Sequence, residues 1–319
     1  MSGEPCVLCR KPVSEPVFQV TPEGPDGMDG TPHPPRAFTL LRCDSCGLVM
    51  TAPRLEQAEL EPYYGAEYWG RVDADNPGWV RRDQAPRTAF LERFRSEGRL
   101  LDVGCGLGLF LLALDPARWE RYGLEIMPAA YQEAARRLGA DRIVTAELTA
   151  AEFPPEHFDV VTFWDALEHL PDPVRALNAA SRLLRPGGLA LLRLPNFAGY
   201  AARRFGEDWY ELAIPYHSYH FTPATLTRAL EATGFEVRDL EDSPGPENYH
   251  ALKHSVLNRM TRLYGPRGGR ARYYLLKPFL HPWEWASTRL GGGSSLQVCA
   301  ERLPGRSKAK YRDSSLRSE

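Results

Sequence analysis

From Arg99 onward, short apolar runs alternate with amphipathic stretches. The runs RLLDV, RYGLEI, RIVTA, FDVVTFW and GLALLRLP are five to eight residues long and dominated by bulky apolar side chains, which predicts buried strands. GLFLLAL, PAAYQEAARRLG, PDPVRALNAASRLLRPGG and TPATLTRALEATGF fall between or after them, with apolar residues at helical spacing. EVRDL and SLQVCAER supply two further strands near the C-terminal end. Strand–helix alternation with short connections predicts an α/β fold, a mostly parallel sheet covered on both faces.

Regions of different character flank this core. Residues 54–98 carry LEQAELEPYYGAEYW and RTAFLERFRSEG, whose three-to-four spacing predicts a helical segment. Residues 242–294 form a long insertion rich in Tyr, Trp, Pro and Arg, and residues 304–319 are a basic, polar tail expected to be disordered. The chain has 319 residues, 43% apolar and 25% charged, with a net charge of −2. This is the composition of a globular protein with no overall basic field to draw it to nucleic acid. The N-terminus lacks an apolar signal core and no stretch is long and apolar enough for a membrane span, so a cytoplasmic protein is expected.

Four of the six cysteines form two C-x-x-C pairs, Cys6/Cys9 and Cys43/Cys46. Such pairs present two sulfurs from one tight turn and suit a tetrahedral zinc site, and the glycine of CDSCG favours that turn. Residues 1–52 are therefore read as a zinc ribbon, with TPEGPDGMDGTPHPPR as a loop out of it. Four cysteine ligands leave no open position, which makes the expected zinc structural.

The most informative stretch is LLDVGCGLGLFLLAL. A buried strand ends in Asp102 and is followed by Gly104, Gly106, Gly108 and an apolar helix; glycines there permit a tight turn and close approach of a ligand. Leu109 stands where a nicotinamide-binding fingerprint wants glycine. The pattern D-x-G-x-G-x-G instead resembles class I S-adenosylmethionine (SAM) methyltransferases. Glu125 ends the next strand, 17 residues after Gly108, and TAELTAAEFPPEHFDVV, FDVVTFWDALEHLPDP and LLRPGGLALLRLP resemble the family's later motifs in order. The resemblance implies a Rossmann-like seven-stranded sheet with its last strand antiparallel, built from residues 99–241 and 295–303, with 53–98 as a helical lid or linker. It implies that Asp102 meets the methionine ammonium, that the Gly104–Gly108 backbone passes the homocysteine moiety, that Glu125 takes the ribose hydroxyls, and that Glu147 and Leu148 meet the adenine. Glu147 departs from the Asp usual there.

Three segments are expected on the acceptor side. Asp165, Glu168 and His169 resemble the acid–x–x–Glu–His run of ubiquinone-pathway O-methyltransferases, where a divalent cation such as Mg²⁺ is implied; a structural role in the turn into PDP is preferred. YYGAEYWG, with Tyr68, resembles a lid over the cofactor, or is a helix packed on the sheet. IPYHSYHFTPATL resembles the HxxHF(S/T)P run of zinc-ribbon-bearing methyltransferases, including sugar C-methyltransferases. The resemblance makes His217, His220 and Tyr219 the candidate catalytic residues, with His220 preferred as base, since imidazole suits removal of a proton at neutral pH.

The expected activity is transfer of a methyl group from SAM to an oxygen or carbon of a small-molecule acceptor: a sugar, a metabolite or a quinone- or lipid-like compound. The alternatives are an RNA methyltransferase gripping RNA with its ribbon, and an inactive SAM-fold binding protein. The acidic balance and the absence of an N/D-P-P-Y run after FDVVTFW argue against the first. The insertion is an acceptor cap, a dimer contact in a monomer-or-homodimer protein, or, through residues 256–292, a peripheral membrane contact.

Overall fold

The computed structural model describes residues 5–21, 36–60, 72–243 and 246–304. Near the N-terminus lie β1 (Val13–Val20), β2 (Phe38–Cys43) and β3 (Val49–Ala52). The central run contains β4 (Gly98–Val103), β5 (Trp119–Leu124), β6 (Ile143–Val144), β7 (Phe158–Trp164) and β8 (Leu184–Pro195). A two-residue β9 (Tyr219–His220), β10 (Phe235–Ser243) and β11 (Ser295–Arg302) complete the strands.

Seven strands form one sheet in the order β10-β11-β8-β7-β4-β5-β6. β4, β5, β6, β7 and β8 pair in parallel, while β11 runs antiparallel to both β8 and β10. This is the expected Rossmann-like α/β sheet with its last strand reversed. The largely apolar character of β7, broken only by Asp159 and Thr162, is explained by its position, since all seven residues are buried between helices on both faces.

The helices follow local signals. Asp172 caps Pro173–Leu183 by accepting from the Arg175 N–H at 2.9 Å, and Val174, Ala176, Leu177, Ala180 and Leu183 form its buried face. Leu184 to Gly188, read from sequence as the tail of that helix, join β8 instead. Thr222 opens Pro223–Ala232 with a reciprocal capping box to Thr225, as TPATL predicts. Of residues 54–98, the described helices are Gln57–Leu60, Pro77–Asp83 and Ala85–Glu92. YYGAEYWG, including Tyr68, lies outside the described residues, as does the tail from residue 305.

The insertion between β10 and β11 is helical. Pro246–Leu276 reverses direction at Gly265 (φ 70°, ψ 170°), a conformation open to glycine, and its two arms lie close together. A side chain at Gly269 would sit 2.6 Å from the Thr261 backbone. A further helix, Leu280–Gly291, packs on this hairpin. Asp208, almost fully buried, receives Arg259 at 2.8 Å and Arg262 at 2.7 Å and so fastens the first arm to the turn at residues 206–208.

β1, β2 and β3 form an antiparallel sheet whose fourth member is β9. Val49 pairs with His220 and Met50 with Tyr219, so the HxxH segment becomes the edge strand of the cysteine-bearing sheet.

Candidate functional site

A cavity of about 380 Å³ opens at the carboxyl ends of β4, β5 and β7. Parallel α/β sheets place ligands there, where connections leave to opposite faces. Asp102, Gly104 and Gly106 form one wall, Glu125 and Met127 another, and Trp164, Asp165 and His169 a third. Gln84 and Arg87, from the helical segment before β4, close the rim. Gly104 and Gly108 both have φ near +70°, and a Cβ at Gly108 would lie 2.7 Å from Leu138. Neither position has room or backbone freedom for another residue.

Asp102 is buried and accepts a 2.6 Å hydrogen bond from Thr162 Oγ1. Burial outweighs that bond and raises its carboxyl to about 7, so a cation arriving beside it would favour ionisation. Glu125 accepts from the Gly106 N–H at 2.9 Å and the Met127 N–H at 2.7 Å, which ties the end of β5 to the glycine turn. Burial raises its carboxyl against those bonds. Exposed Glu147 and buried Leu148 line a smaller neighbouring cavity that shares Leu170 and Pro171 with the main one.

Asp165, Glu168 and His169 do not act as one group. Asp165 adopts φ 54° and is held by Arg87 at 2.9 Å and by a fork from Arg193. Burial resists its ionisation, but the two arginines win and keep its carboxyl below the usual range. Glu168 and His169 are joined instead by His217, with donor atoms of all three within 4.8 Å of one another. Both Glu168 carboxyl oxygens are buried without a hydrogen-bond partner, and burial raises this acid well above its ordinary pKa. His169 and His217 meet edge to face at 4.6 Å, and burial lowers them to about 3 and about 4. Burial thus disfavours the charged form of all three groups, and the cluster presents a carboxyl and two imidazoles as ligand atoms for a cation.

The tautomers of the HxxH segment follow from its partners. Thr51 Oγ1 has one proton, and it goes to the His217 carbonyl at 2.8 Å because a carbonyl only accepts. The contact between Thr51 Oγ1 and His220 Nε2 at 2.9 Å then requires that Nε2 carry the proton and donate it. His220, preferred from sequence as the base, is thus occupied on the ribbon. His217 Nδ1 donates to the Glu211 carbonyl at 2.9 Å, which leaves Nε2 as the unprotonated nitrogen. The Tyr219 hydroxyl donates to the Pro171 carbonyl and accepts from Arg54, bracing the cavity wall.

The sulfurs of Cys6, Cys9, Cys43 and Cys46 converge within 4.8 Å, with Cys6–Cys46 at 3.5 Å and Cys9–Cys43 at 3.4 Å. Tetrahedral zinc with ~2.3 Å Zn–S bonds needs sulfurs about 3.8 Å apart, so the set fits that ion. Each pair forms a knuckle: Arg10 N–H returns to the Cys6 carbonyl, and Gly47 N–H to that of Cys43, both at 2.8 Å. Burial raises the Cys6 thiol to about 11. At Cys43 burial is outweighed by N–H groups of Cys46 and Ser45, and the thiol falls to about 7.

Residues 79–240 match the family model described as a methyltransferase domain. The ubiquinone biosynthesis O-methyltransferase of Aeromonas salmonicida is 30% identical over 190 residues, 54% of this chain and 78% of that one. The protein of the same description from Xanthomonas campestris pv. campestris is 29% identical over 210 residues, 60% of this chain and 85% of its own. The chain belongs to the SAM-dependent methyltransferases. Among solved structures, PH0226 from Pyrococcus horikoshii OT3 covers 75% of this chain and 99% of its own, with a TM-score of 0.49 and 12% identity.

Sequence reasoning about this methyltransferase missed Thr51, Gln84, Arg87 and Arg193. Arg193 did leave a signal, because a cation inside the apolar run GLALLRLP needs a buried partner. The raised pKa of Glu168 carries a stability signature. Its folded pKa lies above the unfolded value, so its contribution is complete below about pH 4.3 and is lost as pH rises. Glu168→Gln should therefore match the native protein near pH 4 and exceed its melting temperature by a few degrees at pH 8. Equal melting temperatures at both pH values would show that Glu168 is not held neutral.

Proposed function

We propose that the protein transfers the SAM methyl group to a hydroxyl oxygen of a small-molecule acceptor, with His217 as the proton acceptor. The observation that carries this reading is the cavity in which Asp102, the glycine turn and Glu125 face the His169 wall, with His217 directly behind it. SAM supplies an activated methyl group on sulfonium. Asp102 holds the methionine ammonium, the Gly104–Gly108 turn admits the homocysteine chain, Glu125 accepts from the ribose hydroxyls, and Leu148 beside Glu147 borders the adenine. Similarity to ubiquinone biosynthesis O-methyltransferases favours oxygen over carbon and a quinone-related acceptor.

The protein's remaining work is alignment and proton removal. His217 suits the second task because its Nδ1 is anchored and its Nε2 is unprotonated, and its pKa of about 4 keeps it neutral at physiological pH. The four cysteines hold a structural zinc, which fixes the sheet to which β9 is paired.

Calorimetric titration tests the cofactor assignment. Asp102→Ala should weaken SAM binding at least about tenfold, and native binding should tighten as pH rises through 7 because ionised Asp102 is the binding form. Unchanged affinity in the variant would remove Asp102 from the site.

His217→Asn keeps a donor toward the Glu211 carbonyl. It should lower turnover of a catechol-type acceptor about a hundredfold or more, with SAM affinity unaltered. His220→Ala should act mainly on stability. Loss of turnover in His220→Ala alone would transfer the role of base to that residue.

Cys43→Ser should release zinc, measured by metal analysis, and lower the melting temperature. A metal-free native protein of equal stability would rule out the structural zinc.

A further inference from the structure

The helical insertion lies outside the stretch matched by the family model, and none of the chemistry above uses it. Between Pro246 and Gly291 it carries eight Lys and Arg against two Glu, in a chain whose net charge is −2. Its hairpin encloses a groove of about 750 Å³ between Tyr249, Lys253 and Leu257 on one arm and Arg270, Tyr273 and Lys277 on the other. Arg259 and Arg262 are committed to Asp208. Lys253, Arg270 and Lys277 have no carboxylate within ion-pair distance among the described residues.

The turn that ends the second arm points bulky apolar side chains outward. Leu275 is 75% exposed, Phe279 67% and Tyr274 58%, and Trp285 on the next helix is 59% exposed. Arg289 lies over one face of the Trp285 ring at 4.3 Å, yet all four side chains stay largely exposed, and each costs free energy in water. Exposed aromatic and aliphatic side chains beside uncompensated cations are the composition of a surface that lies in the headgroup region of a bilayer. No described helix is long and apolar enough to cross a membrane, so the contact is peripheral.

We infer that this hairpin docks the methyltransferase on an anionic lipid surface. Leu275, Phe279 and Trp285 enter the boundary between headgroups and acyl chains, and Lys253, Arg270 and Lys277 face the lipid phosphates. Charge complementarity selects this occupant over a second copy of the chain, because two copies meeting through the patch would bring like charges together. A basic side chain near an anionic membrane strengthens binding about fivefold, so three such groups suffice for salt-sensitive attachment.

The test is co-sedimentation of the full chain with vesicles of phosphatidylglycerol and phosphatidylcholine, against phosphatidylcholine alone. The protein should bind the mixed vesicles at least about tenfold more strongly, and lose that binding in high salt. Combined Lys253→Glu, Arg270→Glu and Lys277→Glu should abolish it, and Leu275→Ser with Phe279→Ser should weaken it by a similar factor. All five positions lie on the hairpin surface away from the cofactor cavity, so SAM affinity, measured in parallel, should be retained. Equal binding to both vesicle types, no binding to either, or binding that survives both sets of substitutions would overturn the proposal. A stable dimer dissociated by the same substitutions, or RNA binding that displaces the vesicles, would also overturn it by assigning the patch to another partner. The assay needs no turnover, so its result stands apart from the acceptor assignment.

Discussion

Thr51 has one hydroxyl proton, and where it goes organises the acceptor side of the molecule. It is given to the His217 carbonyl, the oxygen then accepts from His220, and the backbone N–H of the same residue bonds the Ser218 carbonyl. One residue of the N-terminal sheet thereby fixes both the path and the tautomers of the HxxH segment. The cysteine knuckles fix that sheet in turn, since β2 leads directly into Cys43 and β3 follows Cys46. The cysteine-bearing sheet thus acts as a clamp on the HxxH segment, through β9 and through Thr51.

The second constraint is the sorting of buried charge. Asp165 and Glu168 lie three residues apart and shift in opposite directions. Arg87 and Arg193 are placed on Asp165 and lower its pKa, whereas neither carboxyl oxygen of Glu168 has a hydrogen-bond partner, and burial raises its pKa. A buried carboxylate needs a cation or several donors to offset desolvation. Arg87 reaches Asp165 from the helical segment before β4, so that segment is bound to the cavity by an ion pair as well as by packing. Asp208 repeats the arrangement on the insertion, with Arg259 and Arg262.

Much of the fold was legible in particular residues. FDVVTFW reads as a strand buried on both faces because the centre of a parallel sheet has no polar side. The tight turn after Asp102 was legible because Gly104, Gly106 and Gly108 have φ of 70°, 56° and 75°, a region that glycine enters without strain. The knuckle glycine Gly47, with φ 79°, was legible for the same reason. The insertion was not, since its apolar and aromatic residues follow no single face and its chain reverses at Gly265 within what is otherwise one helical run. The hydrogen bond of His220 was not legible, because its partner Thr51 lies 169 residues earlier in the chain.

By itself the sequence determined the strand–helix alternation, the glycine turn with Asp102 and the pairing of cysteines into knuckles. Each of these is set by side chains within a few residues of one another, through burial periodicity or backbone freedom. Only the tertiary structure decided that β9 completes the ribbon sheet, that Asp165 belongs to two arginines, that Glu168 is buried without a partner and that the Nδ1 of His217 is turned to the Glu211 carbonyl. Protonation states and hydrogen-bond partners depend on which distant groups arrive at van der Waals distance, and local pattern carries no record of that.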